Sequence, residues 1–275
     1  MKKLLINLLN LLYKRGEVPL PLGGYHIAWI IATLSIAAML IILFSDASEK
    51  ATRIIIASAW ALMLVMELLK QVAGNVYVID EKIVFHYRWD FMPYQFCSTP
   101  LYVLPLAAFM REGQKRDTAI LFLSTFSVIG GVVVFSIPDS VLSDHIFINF
   151  QSMLHHGIQI FIGLYLASRY RRLLTKEQFS YTAFAFLFMS YLAINLNMLF
   201  CEASMSTVVN FFFINPHNRY IPPLLENLGL EKVPYIIFLV GYLGLFILGA
   251  FLLMKAEKFI TEKINYDKIK IIKNI

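Results

Sequence analysis

The chain has 275 residues, of which 59% are apolar and 15% charged, and its mean hydropathy is +0.67. Soluble domains carry about 25% charged residues, so water is excluded as the chain's main solvent. The net charge of +6 calls for no nucleic acid, because basic residues beside anionic lipid headgroups account for it.

Residues 1–16 are apolar over too short a run to cross a bilayer and have no small-residue cleavage site, which argues against a cleaved signal peptide. Lys3, Asn7, Asn10 and Lys14 fall on one stripe of a helix otherwise rich in Leu and Ile, a pattern that suits a helix lying in the membrane interface. Seven apolar blocks follow, at approximately 27–44, 54–73, 95–110, 118–137, 151–168, 179–200 and 234–254. Most are close to the ~20 residues that cross about 30 Å of hydrocarbon. The third is short and holds Pro100 and Pro105, which predicts a kinked or partly re-entrant helix. The expected fold is all-α: a polytopic integral membrane protein of about seven transmembrane helices with an N-terminal interfacial amphipathic helix. Residues 17–258 form the membrane domain in this reading, and 259–275 a basic cytoplasmic tail.

Seven crossings put the termini on opposite sides. Segments 1–26, 70–94, 136–150 and 201–233 together carry nine Lys and Arg, whereas 45–53, 111–117, 169–178 and 255–275 carry fifteen. The excess of positive charge assigns the second set, and the C-terminus, to the cytoplasm. The expected location is the cell membrane.

Cys97 and Cys201 allow one disulfide at most, and no paired spacing suggests zinc or a redox motif. No phosphate loop, Gly-x-Ser-x-Gly elbow or His-Glu-x-x-His helix occurs. No metal or cofactor is expected.

The spans do contain polar residues that are costly in hydrocarbon and therefore face a shared interior. Glu67 and Lys70 end the second span on one helix face. Cys97 opens the third, one turn after Pro93. His155, His156 and Gln159 lie at the start of the fifth, and Asn195, Asn197 and Glu202 around the end of the sixth. Alternation of the spans puts all of them at one membrane face whichever way the protein is oriented, so four helices converge on one polar pocket, toward the outer face. Each group also has a plainer reading. A lone cysteine is usually a small buried hydrophobe, Glu67 and Lys70 can satisfy each other as an ion pair, and amides in spans join helices. The shared depth of a thiol, an imidazole and groups able to orient them favours chemistry.

The stretch Pro93-Tyr-Gln-Phe-Cys97-Ser-Thr-Pro-Leu-Tyr-Val-Leu-Pro105 resembles the Leu-Pro-Leu-His-Leu-Cys signature of the YwaF-like bacterial membrane proteins, relatives of the eukaryotic transmembrane protein 164 family. Gln151-Ser-Met-Leu-His-His156-Gly157, followed by Tyr165, is similar to that family's His-Gly segment. Asn210-Phe-Phe-Phe, then Pro222-Pro-Leu-Leu-Glu-Asn-Leu-Gly229 and Pro234-Tyr235, resembles its Asn-Tyr-Met-Phe block. Gln95 stands where bacterial relatives commonly have His, and Phe211 where they have Tyr. The resemblance implies phospholipid acyl transfer through a cysteine and a histidine, which align with Cys97 and His156.

The chemistry fits that pairing, since a cysteine thiolate can hold an acyl group as a thioester. Cys97 is the expected nucleophile and His156 the proton carrier, with His155 as the alternative base. Asn195, Asn197 or Gln159 can donate to the oxyanion, and Glu67 can orient the histidine or pair with Lys70. Gln95 and Asn210 join the substrate-binding or orienting candidates. Membrane phospholipids are the expected partners. A lipid hydrolase using the same dyad, and a non-enzymatic transporter or lipid-binding protein, stand as the alternative readings.

Overall fold

The computed structural model describes residues 2–44, 46–80, 82–138, 141–204, 209–219 and 229–273. In chain order the helices are α1 (Lys2–Leu12), α2 (Gly24–Phe44), α3 (Glu49–Asn75), α4 (Pro100–Phe109), α5 (Gln114–Phe122), α6 (Val128–Ser136), α7 (Ile146–Arg169), α8 (Lys176–Ser204) and α9 (Tyr235–Lys273). A single π turn, Leu123–Ser127, joins α5 to α6 as one continuous rod. Two short antiparallel hairpins interrupt the helical pattern: β1 (Val76–Ile79) with β2 (Lys82–Phe85), and β3 (Ile214–Asn215) with β4 (Asn218–Arg219).

Among the described residues, five helices are long and apolar enough to cross a membrane: α2, α3, the α5–α6 rod, α8 within Lys176–Phe200, and α9 within Tyr235–Lys263. They turn apolar side chains outward, among them Ile31, Leu34, Ile42, Phe184 and Leu245, as expected where lipid replaces water as solvent. The third apolar block forms a shorter helix, Phe96–Phe109. The fifth, α7, has the length but carries Asn149, Gln151, Ser152, His155, His156 and Gln159, all buried. It is the central helix, packed against α2, α3, α6, the π turn and α9, and its polar side chains point inward. Helix α9 also runs on past residue 259, through most of the segment expected to be a tail.

Two prolines shape the helix that starts the site. Pro100 occupies the first turn of α4, where its missing N–H costs nothing. Pro105 lies inside α4 and cannot donate to the Leu101 carbonyl. Trp60 Nε1 on α3 donates to that carbonyl instead, at 3.0 Å. The other end of α4 is capped by cations: Arg116 Nε donates to Ala107 O at 2.8 Å, and Arg53 Nη1 to Ala108 O at 2.8 Å and Met110 O at 2.7 Å. Helix-terminal carbonyls lack partners and carry partial negative charge, so guanidinium groups there stabilise a helix too short to be stable alone.

The same guanidinium groups knot one end of the bundle together. Arg116, 1% exposed, meets Glu49 at 2.5 Å and donates to the Tyr170 hydroxyl at 3.0 Å, while that hydroxyl donates to Glu49 Oε2 at 2.8 Å. Arg172 forks onto both Asp117 oxygens at 3.1 Å. The turns before α3, after α4 and after α7 therefore share one face. At the opposite end, Arg15 pairs with Asp144 at 2.8 Å and Tyr13 stacks on Tyr77, bringing α1, the loop before α7 and the first hairpin together.

Close helix packing there depends on missing side chains. A Cβ on Gly163 of α7 would sit 2.6 Å from the Leu123 carbonyl and collide with Val128, and one on Gly131 would sit 2.8 Å from the His156 carbonyl. The α5–α6 rod thus touches α7 backbone to backbone at its π turn and again beside His156.

Candidate active site at the Cys97 turn

Cys97 lies in a 3-10 turn, Phe96–Ser98, that feeds into α4. Ser98 N–H donates to the Gln95 carbonyl at 2.8 Å and the Thr99 hydroxyl to the Phe96 carbonyl at 2.7 Å, so the cysteine occupies the first turn of the helical stretch. Its thiol is free and half-buried.

Helix α7 grips this turn. His155 Nε2 and Gln159 Nε2, one helical turn apart, both reach the Cys97 carbonyl at 2.8 Å. A carbonyl only accepts, so His155 holds its proton on Nε2, and its Nδ1 is buried without a partner among the described residues. His156, the next residue, points away from this contact. Its Nδ1 lies 2.7 Å from the Ser152 carbonyl, which places the proton there and leaves the buried Nε2 without a partner among the described residues. The two rings are edge-on, 5.5 Å apart.

Glu67 and Lys70 form the expected ion pair on α3 at 2.9 Å. The helix that carries them, α3, packs against both α4 and α7. Glu67 also accepts from Gln71 Nε2 at 2.7 Å. Gln71 donates to the Phe91 carbonyl at 2.6 Å as well, and Asn75 Nδ2 donates to the Gln71 carbonyl at 2.8 Å. Residues 67, 71 and 75 thus form a polar ladder up one face of α3. Their spacing of four is the sequence signal for Gln71 and Asn75, which hydropathy alone does not single out.

The remaining candidates build a wall beside the turn. Gln95 Nε2 donates to the Asn210 carbonyl and Gln95 Oε1 accepts from Phe212 N–H, both at 3.0 Å. Asn197 accepts from Phe211 N–H at 2.6 Å and donates to the Phe211 carbonyl at 3.0 Å. Asn210 orders its own loop, accepting from Asn215 N–H at 2.9 Å and donating to the Asn218 carbonyl. Phe212 and Phe213, at φ of 57° and 58°, are held in the left-handed region by this framework. Phe96 packs edge-on against Phe212 and Phe246, and the Tyr242 hydroxyl of α9 donates to the Phe212 carbonyl at 2.8 Å. Burial, with a smaller contribution from Tyr102, pushes the neighbouring Tyr94 phenol up to about 12. Asn195 does not join: it faces outward on α8 and donates to Tyr191 O of its own helix at 2.7 Å. The side chains of Cys201 and Glu202, and most of the Pro222–Gly229 stretch, lie outside the described residues.

Apolar spans around an inward-facing polar helix define a multi-pass helical membrane protein. The chain belongs to the TMEM164 family, whose profile matches residues 21–255. No curated protein and no solved structure is detectably similar to it.

Proposed function

We propose that the protein is a membrane-embedded lipid acyltransferase that moves a fatty acyl group between phospholipids through a thioester on Cys97. The observation that carries this reading is the protonation pattern of two adjacent imidazoles on α7, one of which grips the backbone of the residue that bears a free thiol. With Nδ1–H committed to the Ser152 carbonyl, His156 presents the Nε2 lone pair of a general base. His155, with the opposite tautomer, anchors the Cys97 backbone together with Gln159.

In the first half-reaction the thiol proton passes to His156 Nε2, the sulfur attacks the ester carbonyl and a C–S bond forms. The ester C–O bond then breaks, and the departing lysolipid oxygen takes the proton back from Nε2. In the second, an acceptor hydroxyl gives its proton to Nε2 and attacks the thioester. A C–O bond forms, the C–S bond breaks, and the proton returns to sulfur. Water as acceptor makes the same reaction a hydrolysis.

The reading includes seven crossings, with Phe96–Phe109 and α7 joining the five long apolar helices, and with α1 lying in the interface. Trp60 bonds to Leu101 and Arg53 to Ala108, so α3 and α4 run antiparallel and side by side, and the same register puts Cys97 about one turn from Glu67. The C-terminus is cytoplasmic on the charge asymmetry, so a C-terminal alkaline-phosphatase fusion is expected to be inactive and a fluorescent-protein fusion bright. An active phosphatase reverses the orientation but leaves the site groups at one face.

The function is tested with a thiol-directed lipid probe, expected to label the wild-type protein at Cys97. Labelling lost in Cys97→Ala and blocked by excess phospholipid supports the reading. Equal labelling of both proteins overturns it.

A further inference from the structure

The first hairpin was not expected from the sequence, and nothing in the proposed chemistry uses it. All four residues of β2 are exposed, so Ile83 and Phe85 on one face and Val84 on the other are uncovered; Phe85 is 69% exposed. After it, Tyr87 packs edge-on against Trp89 at 4.9 Å, and Trp89 is itself 42% exposed. A strand apolar on both faces is not a docking face for one protein partner, which would cover one side and leave the other wet. It fits a medium that surrounds it.

Depth follows from the backbone. A two-stranded sheet has two open edges, whose N–H and C=O groups have no partner in hydrocarbon, so the hairpin cannot enter the bilayer core. Tyr, Trp and Lys beside apolar residues is the composition of the headgroup boundary. Lys82 lies at the turn of the hairpin and Arg88 follows it. The surface is also continuous with the lipid-facing helices: β1 extends directly from α3, and its Tyr77 stacks on Tyr13 just after α1.

We propose that the β1–β2 hairpin, with Tyr87 and Trp89, is a membrane anchor immersed in the headgroup and glycerol layer of the phospholipid bilayer. Its base is tied to the polar ladder: His86 N–H donates to the Asn75 carbonyl at 2.8 Å and Arg88 N–H to Asn75 Oδ1 at 2.6 Å. Anchoring the hairpin therefore fixes the height of α3, and of the Glu67 and Lys70 groups below it, relative to the lipid surface. The inference is independent of acyl transfer.

Spin labels attached by Phe85→Cys, and by Leu34→Cys as a mid-span reference, in a Cys97→Ser/Cys201→Ser protein in phospholipid nanodiscs test it. The label at 85 is expected to lose most collisions with a water-soluble nickel complex and to gain collisions with oxygen, at a depth shallower than residue 34. Free access to nickel overturns the proposal, and so does protection from both reagents, which would mean a protein covers the hairpin. Should that background fail to fold, wild-type protein is photolysed with a phospholipid carrying a diazirine near its headgroup. Labelling of the 82–89 peptide supports the anchor, and labelling confined to the helices overturns it.

Discussion

Cys97→Ala is expected to abolish acyl transfer while leaving the protein folded, because His155 and Gln159 grip the carbonyl of residue 97, which alanine retains. His156→Ala should slow both half-reactions by roughly 10²–10⁴-fold, the range for a lost acid–base group. The double variant should be little worse than either single one, since the two groups act as a unit. His155→Ala is expected to differ in kind. It removes one of two hooks on the Cys97 backbone, so its effect should be smaller and be partly rescued by His155→Gln, whose amide can still donate. Turnover of a labelled phospholipid in proteoliposomes measures all five. Full activity in Cys97→Ala, or His155→Ala exceeding His156→Ala, contradicts the assignment.

The second large effect is on stability, at the far end of the bundle. Glu49→Ala would leave the Arg116 guanidinium, 1% exposed, with the Tyr170 hydroxyl and the Ala107 carbonyl as its hydrogen-bond partners among the described residues. Stranding one member of a buried pair costs about 3–5 kcal/mol, and Glu49→Ala should fall in that range. Arg116→Met should cost less, because Glu49 is one-third exposed and keeps Arg53 at 3.1 Å. Equilibrium unfolding by SDS in mixed micelles reads both. A Glu49→Ala protein within about 1 kcal/mol of wild type would show that the knot contributes little, as exposed pairs do.

Much of this architecture was legible in the apolar blocks, because lipid forces backbone hydrogen bonds into helices and leaves a hydropathy signature. The α2, α3 and α8 blocks lie inside the observed helices, and the third block, with its two prolines, forms the short helix α4. What the sequence did not carry is what tertiary contacts decide. Trp60 rescues the carbonyl that Pro105 orphans from 41 residues away in sequence, and Arg116 reads as a loop charge until the fold buries it. The first hairpin is invisible for a related reason: its residues alternate poorly, since neither face of β2 meets a core.

At the site, shared depth grouped Cys97 with His155 and Gln159, which reach its carbonyl, and Glu67 with Lys70, which pair on α3. It did not tell which imidazole would touch residue 97, because that depends on the rotation of α7 about its axis. Asn195 shows the same limit. Two residues from Asn197 it is about 200° round the helix, so one amide faces the Asn210–Phe213 wall and the other faces out.

Intact-mass spectrometry of the purified protein after incubation with a defined phospholipid donor tests the central claim most directly. The account predicts an added mass equal to the donor's acyl group, removed by neutral hydroxylamine, absent from Cys97→Ala and slow to form in His156→Ala. Transfer activity without that adduct in any time window, or an adduct of equal yield in Cys97→Ala, would contradict covalent catalysis at this cysteine.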